Sequence, residues 1–252
     1  MGVAQAYYRP LAEWLAREGF VAATFDYRGI GLSRPPRLRD VRADILDWAR
    51  LDCAAMIDAL AARAPGVPIT WVGHSLGGQI LPFVPNRERV AKAVAVASGS
   101  GYWREHDAPM RRQAWLLWFV VAPAALALCG YFPGRRLRIV GDLPAGVMRQ
   151  WRRWCLDPDY AMGAEGDRAR AQYAAVRTPI ASLSFHDDEF MSERNTESLL
   201  GFYANAPKAV KRLRPEDAGV PRIGHFGFFR AAFEATLWRG LLLPELASGG
   251  VR

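Results

Sequence analysis

The chain has 252 residues, 51% of them apolar, which allows one large domain with a sizeable core and excludes a disordered or fibrous protein. The formal charge of +8 comes from thirty arginines and three lysines set among 25 acidic residues with no long basic tail, which reads as solvated surface and not as a nucleic-acid-binding tract. Three scattered cysteines without a CxxC spacing, at 53, 129 and 155, exclude a disulfide framework and a zinc site and point to a reducing, cytoplasmic compartment.

Along the chain, residues 1–20 lack the basic and apolar regions of a secretory signal. Residues 10–18 carry Leu11, Trp14 and Leu15 on one helical face, with Gly19 as a stop. Val21 to Phe25 reads as a buried strand entering a Gly-rich loop. A long helix follows at about 42–63, punctuated by Pro65, Gly66 and Pro68. Residues 69–72 form the next strand, ending in GHSLGG, with a helix expected from about 76. Residues 90–97 make another strand. The α/β rhythm resumes with a strand at Ile180 to Phe185, a helix near 193–203, a strand near 209–213 and a terminal helix near 227–240. This alternation predicts an α/β fold: a mostly parallel sheet flanked by helices, with both faces covered.

Between these parts the rhythm breaks. Residues 101–175 hold five of the nine tryptophans and several helical runs but no clear strand. They read as a helical cap inserted in a core of 1–100 and 176–252. Within the cap, residues 113–134 carry no charge over 22 positions, flanked by Arg111–Arg112 and Arg135–Arg136. The length would permit a membrane span, but Pro123 interrupts it. A span would also separate Ser75 from His225. The run is expected to be a buried or substrate-facing helix pair broken at Pro123, with its apolar residues lining an acyl pocket.

Gly73-His74-Ser75-Leu76-Gly77 matches G-x-S-x-G at the end of a predicted strand. A serine raised on so tight a strand-to-helix turn crowds the residues two positions away on either side, and glycines relieve the crowding. The serine needs a base to take its proton. Of four histidines, His74 adjoins the serine with its ring turned elsewhere, His106 lies in the cap and His186 at a strand end. His225 alone follows an acid in the chain order nucleophile, acid, base. The acid should follow the strand Ile180 to Phe185, and turn spacing favours Asp188 over its neighbour Asp187. It would set the His225 tautomer and stabilise the imidazolium.

The segments FDYRGIGLS (25–33), WVGHSLGGQ (71–79), SFHDDEF (184–190) and GHFGFFR (224–230) resemble the α/β-hydrolase superfamily. More narrowly, the chain is similar to a group of bacterial α/β hydrolases without well-defined substrates. The resemblance implies a serine hydrolase, most often of esters, working through an acyl-enzyme without metal or organic cofactor. It implies an oxyanion hole made of the Leu76 amide and a second amide from the loop after a strand that precedes the first helix. Here that helix begins about nine residues from Met1, so the strand is absent, and Met1 or Gly2 stands where the loop should be. The expectation is a sheet lacking a central strand and a second donor that is untethered. An acyltransferase with the same triad, or a silent scaffold, are the alternatives. The expected partner is a small ester. Nucleic acid and membrane contact are not expected, and a homo-oligomer stays open.

Overall fold

The structure, a computed structural model, describes residues 1–247. Six strands occur in chain order: β1 (Ile69–His74), β2 (Val90–Val96), β3 (Tyr131–Phe132), β4 (Leu143–Pro144), β5 (Ile180–Phe185) and β6 (Lys208–Leu213). β1, β2, β5 and β6 form one all-parallel sheet in that order, and β3 and β4 pair antiparallel outside it. The register sets Val72 beside Val94 and Leu183 beside Lys211.

The pleat divides β2 between two cores. Ala93 and Ala95 face a core with Ile45, Trp48, Ile57, Leu199 and the insertion's Trp154 and Tyr160. Val94 and Val96 face the other, made by Leu11 and Trp14 of the helix Arg9–Arg17, Leu183 and Phe185 of β5, and Leu237, Trp238 and Leu242 near the C-terminus. Small residues on one face and β-branched ones on the other follow from the two-residue repeat of a strand. Trp14 and Trp238, both fully buried, meet with ring centroids 5.5 Å apart. Each fully buried large apolar side chain contributes roughly 1.5–3 kcal/mol relative to exposure.

The structure differs from the sequence expectations in four elements. Val21 to Phe25 is not a strand. It has no neighbour in the sheet, Val21 is 58% exposed, and β1 stands at the sheet edge. A strand needs a partner for its backbone groups, and sequence pattern alone does not supply one. The helix expected from about 76 is replaced by two 3₁₀ turns, Ser75–Gly78 and Leu81–Phe83. Paired glycines carry the poorest helix propensity after proline, and Pro82 and Pro85 remove two backbone donors. The terminal helix begins later than expected, running from Ala231 to Ala247 with a wide-turn stretch at Glu234–Leu242.

The fourth difference lies in the insertion. Residues 108–129 form one continuous helical run and not a pair broken at Pro123. A proline clashes with the carbonyl four residues back and cannot donate to it. The π-helical turn at Leu117–Val121 shifts the ladder just ahead of Pro123, so the helix continues. It is also not buried: Ala114, Trp118 and Ala122 face the protein, while Trp115, Leu116, Phe119, Val120 and Leu128 are exposed.

Candidate active site

At the end of β1 the chain reverses so tightly that a methyl group on Gly73 would lie 2.4 Å from the Gly77 carbonyl carbon and oxygen. One on Gly78 would lie 2.3 Å from Ser98 Oγ. At Gly77 there is nothing within 4 Å. The crowding that the motif implies at Gly73 and Gly77 is therefore real at Gly73 and absent at Gly77, and Gly78, one residue further on, is crowded instead. Ser75 takes a left-handed backbone, φ 53°, which is uncommon for a residue with a side chain. The turn is held from several sides. Ser98 Oγ donates to Ser75 O at 2.9 Å, Trp71 Nε1 to Gly77 O at 2.8 Å and Tyr203 Oη to Gly78 O at 3.2 Å. Gln79 is buried, donating to Gly99 O at 2.7 Å and accepting from Tyr160 Oη at 2.8 Å.

His225 sits in a single helical turn, Gly224–Gly227. Its Nδ1 is 3.0 Å from both Asp188 carboxylate oxygens, with both side chains buried. Asp188 Oδ1 also accepts the backbone N–H groups of Phe190 and Met191, at 2.8 and 2.9 Å. The carboxylate is thus aimed by its own turn, immediately after β5. Asp187 is committed elsewhere: its Oδ2 accepts from Ile223 N and Gly224 N, at 2.8 and 3.0 Å. Glu189 accepts from His225 N at 3.1 Å. So Asp187 and Glu189 shape the His225 turn, and Asp188 alone of the three faces the ring. The ring's hydrogen bonds go to Asp188, and none joins it to Ser75 Oγ among the described residues.

His74 does more than the sequence indicates. Its Nε2 lies 3.0 Å from His225 O and its Nδ1 2.8 Å from Tyr8 Oη. A carbonyl can only accept, so Nε2 carries the proton and Tyr8 donates to Nδ1. Burial pushes the His74 pKa well below the ordinary imidazole range, with the neighbouring His225 adding to the effect. Burial likewise keeps Tyr8 protonated by raising its pKa. The residue before Ser75 thereby fastens the backbone of His225 to the turn. Nothing in the sequence marks this, because Tyr8 and His74 meet across 66 positions.

Met1, Gly2, Val3, Tyr8, Tyr27, Trp48, His74, Ser75 and Leu76 line one cavity of about 40 Å³. All three residues expected at the oxyanion hole, Leu76, Met1 and Gly2, therefore border the space at Ser75. The N-terminal pair is not untethered: Gly141 N donates to Met1 O at 3.3 Å, and Gly2 packs on Gly141 and Leu143. Gln5 is anchored through Asp26, which accepts its backbone N–H at 2.7 Å. No residue of 101–175 lines this cavity, which corrects the expectation of an acyl pocket built by the apolar run. The short 3₁₀ turn after Ser75 also means that the Leu76 N–H, and not a long helix dipole, is what the elbow offers a developing negative charge. Among the described residues no group of three or more His, Cys, Asp or Glu could hold a metal ion.

A family model described as "Serine aminopeptidase, S33" matches residues 2–128. Among solved structures, the chain is similar to Est816, described as an N-acyl homoserine lactone degrading enzyme, at 19% identity and a TM-score of 0.55, covering 100% of this chain and 90% of that one. It is similar to a structure described under the metagenome-derived lipolytic enzymes LipS and LipT at 18% identity and a TM-score of 0.60, covering 96% and 89%. It is also similar to a hydrolase from Oleispira antarctica at 14% identity and a TM-score of 0.58, covering 98% and 88%. At these identities the likeness is one of fold. A search of curated proteins found no match.

Two outcomes follow from this geometry. Gly73→Ala is expected to lower unfolding free energy by about 2 kcal/mol or more, because the added methyl runs into the backbone peptide group joining Gly77 and Gly78. Gly77→Ala, with open space, should change it by less than about 1 kcal/mol. Urea denaturation of both variants decides, and equal losses would refute the packing account. The second concerns pH. His74 is held uncharged in the fold but takes a proton near pH ~6.5 when unfolded. Below that pH the unfolded state binds protons the fold refuses, so stability falls as pH drops and is complete above it. His106, depressed chiefly by burial, adds in the same direction. His74→Gln should flatten the decline in urea midpoint between about pH 7 and 5. An unchanged slope assigns the decline to other groups.

Proposed function

Because this chain belongs to the α/β-hydrolase family described as serine aminopeptidase, S33, we propose that it is a serine hydrolase of small carboxylic esters with Ser75, His225 and Asp188 as its triad. The observation that carries this reading is the buried Asp188–His225 pair, 3.0 Å to each oxygen, fastened through His74 to a serine on a left-handed elbow.

The chemistry follows from these positions. With Nδ1 donating to Asp188, the His225 Nε2 is the basic nitrogen. It takes the Ser75 proton as Oγ attacks the ester carbonyl. The carbonyl electron pair moves to oxygen, where the amide of Leu76 and an N–H of Met1 (its amino group) or Gly2 (its amide) would receive it. The tetrahedral adduct collapses, the alcohol leaves with the proton from His225, and an acyl-Ser75 ester remains. Water, deprotonated by His225, then releases the acid. Asp188 keeps its charge throughout and stabilises the imidazolium. In this reading residues 101–175 act as a cap. Gly141 and Pro144 press on the N-terminal residues and the loop at Gly29 beside the cavity.

The cavity size bears on the substrate. A space of about 40 Å³ holds a few waters at roughly 10–15 Å³ each. That suits a short acyl group, acetyl or propionyl. Acyl transfer to an alcohol would use the same groups and is separated by product analysis.

A fluorophosphonate probe should label the protein, and Ser75→Ala should abolish both labelling and hydrolysis of p-nitrophenyl acetate. Retained labelling would sink the assignment of the nucleophile. Asp188→Asn should lower kcat by about 10⁴-fold, by analogy with triad acids that set the imidazole tautomer. Asp187→Asn should cost far less. If Asp187→Asn is the more damaging, the acid is misassigned. In a chain-length series, kcat/KM should peak at acetate or propionate, and a peak at octanoate would contradict the cavity.

A further inference from the structure

Seven of the thirteen large apolar side chains that the described residues expose lie between 115 and 139: Trp115, Leu116, Phe119, Val120, Leu128, Leu137 and Ile139. On the helical run 108–129, Leu116, Val120, Ala124 and Leu128 repeat every fourth residue and form one stripe, with Trp115 and Phe119 beside it. The opposite stripe, Ala114, Trp118 and Ala122, packs on the domain. Its most apolar 18-residue window has a mean hydropathy of 1.5, yet only 22% of that window is buried. A patch of this extent on a monomer marks an interaction surface.

Its rim is cationic. Residues 101–154 hold nine arginines and three acidic residues. Two of the acids are engaged, Glu105 with Ser100 and Ser198, and Asp142 with Arg34. Among the described residues only Arg153 of the nine arginines forms an ion pair, with Glu165. Trp103, Arg111, Arg112 and Trp115 line an open cavity of about 260 Å³ at the head of the helix. The Arg104 guanidinium lies 5.2 Å from the Trp103 ring centroid and that of Arg152 lies 5.9 Å from Phe119.

We propose that this helix lies in the interface of an anionic lipid bilayer, its exposed apolar stripe among the acyl chains and its arginines on the phosphate groups. Tryptophan and arginine both suit that boundary, with apolar bodies and polar ends. A second copy fits less well. A two-fold interface brings the same patch against itself, setting unpaired arginines against arginines. A span does not fit either. The segment before the helix is tied to the core through Ser100 and Asn195, and the segment after it through buried Phe132 and Leu143. Both ends of a 22-residue helix cannot stay on one folded body while the helix crosses a bilayer.

The experiment is flotation of the full chain with vesicles of phosphatidylcholine, with and without about 30 mol % phosphatidylglycerol. Binding is read directly, so the result is independent of whether Ser75 is a nucleophile. The protein should bind the anionic vesicles at least about tenfold more strongly than the neutral ones, and less as salt rises. Leu116→Glu with Val120→Glu, and separately Arg111→Gln with Arg112→Gln, should each weaken binding by about tenfold or more while leaving the thermal midpoint unchanged. Acyl-brominated lipid should quench tryptophan emission, and Trp115→Phe should remove most of that quenching. The proposal is overturned by absence of binding to anionic vesicles, or by binding that the glutamate variant retains. Retention on vesicles after alkaline carbonate, the mark of a span, also overturns it. So does a dimer in sedimentation that Leu116→Glu dissociates while the vesicles go unbound.

Discussion

Everything at the candidate site depends on one close approach: the Gly73 α-carbon passes so near the Gly77 carbonyl that no side chain fits between them. That approach turns β1 back on itself within four residues and places Ser75 in a left-handed conformation that its own side chain disfavours. The strain is held by bonds from four separate parts of the chain. Trp71, within β1, and Ser98, just after β2, grip the turn's carbonyls. Tyr160 bonds the Gln79 side chain from the insertion, and Tyr203 bonds Gly78 O from beyond the helix Glu193–Phe202. A turn so over-determined keeps its serine in place while the cavity in front of it stays small.

The second half of the site is built on the same economy of backbone. Three consecutive acids after β5 have three different duties. Asp187 holds the amides of Ile223 and Gly224, Glu189 holds the amide of His225, and Asp188 faces the imidazole. The first and third fix the turn that the second needs. His74 closes the arrangement by donating to the His225 carbonyl from the elbow itself. Each ring nitrogen of His74 has its partner, and burial keeps the ring neutral, so the bracket is a pair of ordinary hydrogen bonds with no buried charge to compensate.

The insertion between β2 and β5 does two separate things. On its inner side it packs large aromatic side chains, Trp154 and Tyr160, into the main core, and it supports Met1 and Gly2 at the cavity. On its outer side it presents apolar residues to solvent along a helix that a π-turn carries past Pro123. On that helix the covered stripe, Ala114, Trp118 and Ala122, and the exposed one are separated only by helical phase. An uncharged run therefore admits several readings until it is known which stripe meets protein.

Sequence alone determined what local chemistry dictates: the strand β2, the need for glycine at Gly73 ahead of a serine on a tight turn, the order of serine, acid and histidine, and the preference for Asp188 in the turn after β5. These are set within a few residues by strand periodicity and turn sterics. The glycine that the sequence also singled out, Gly77, meets nothing within 4 Å. Tertiary structure decided whatever depends on a neighbour distant in the chain. Val21 to Phe25 has strand composition but no partner, so it is not a strand. Tyr8 meets His74, and Gly141 meets Met1, only because the fold brings them together. The apolar helix is exposed because the domain covers one of its stripes and leaves the other. Hydrogen-bond partners and burial are pairwise properties, and a linear pattern names only one member of each pair.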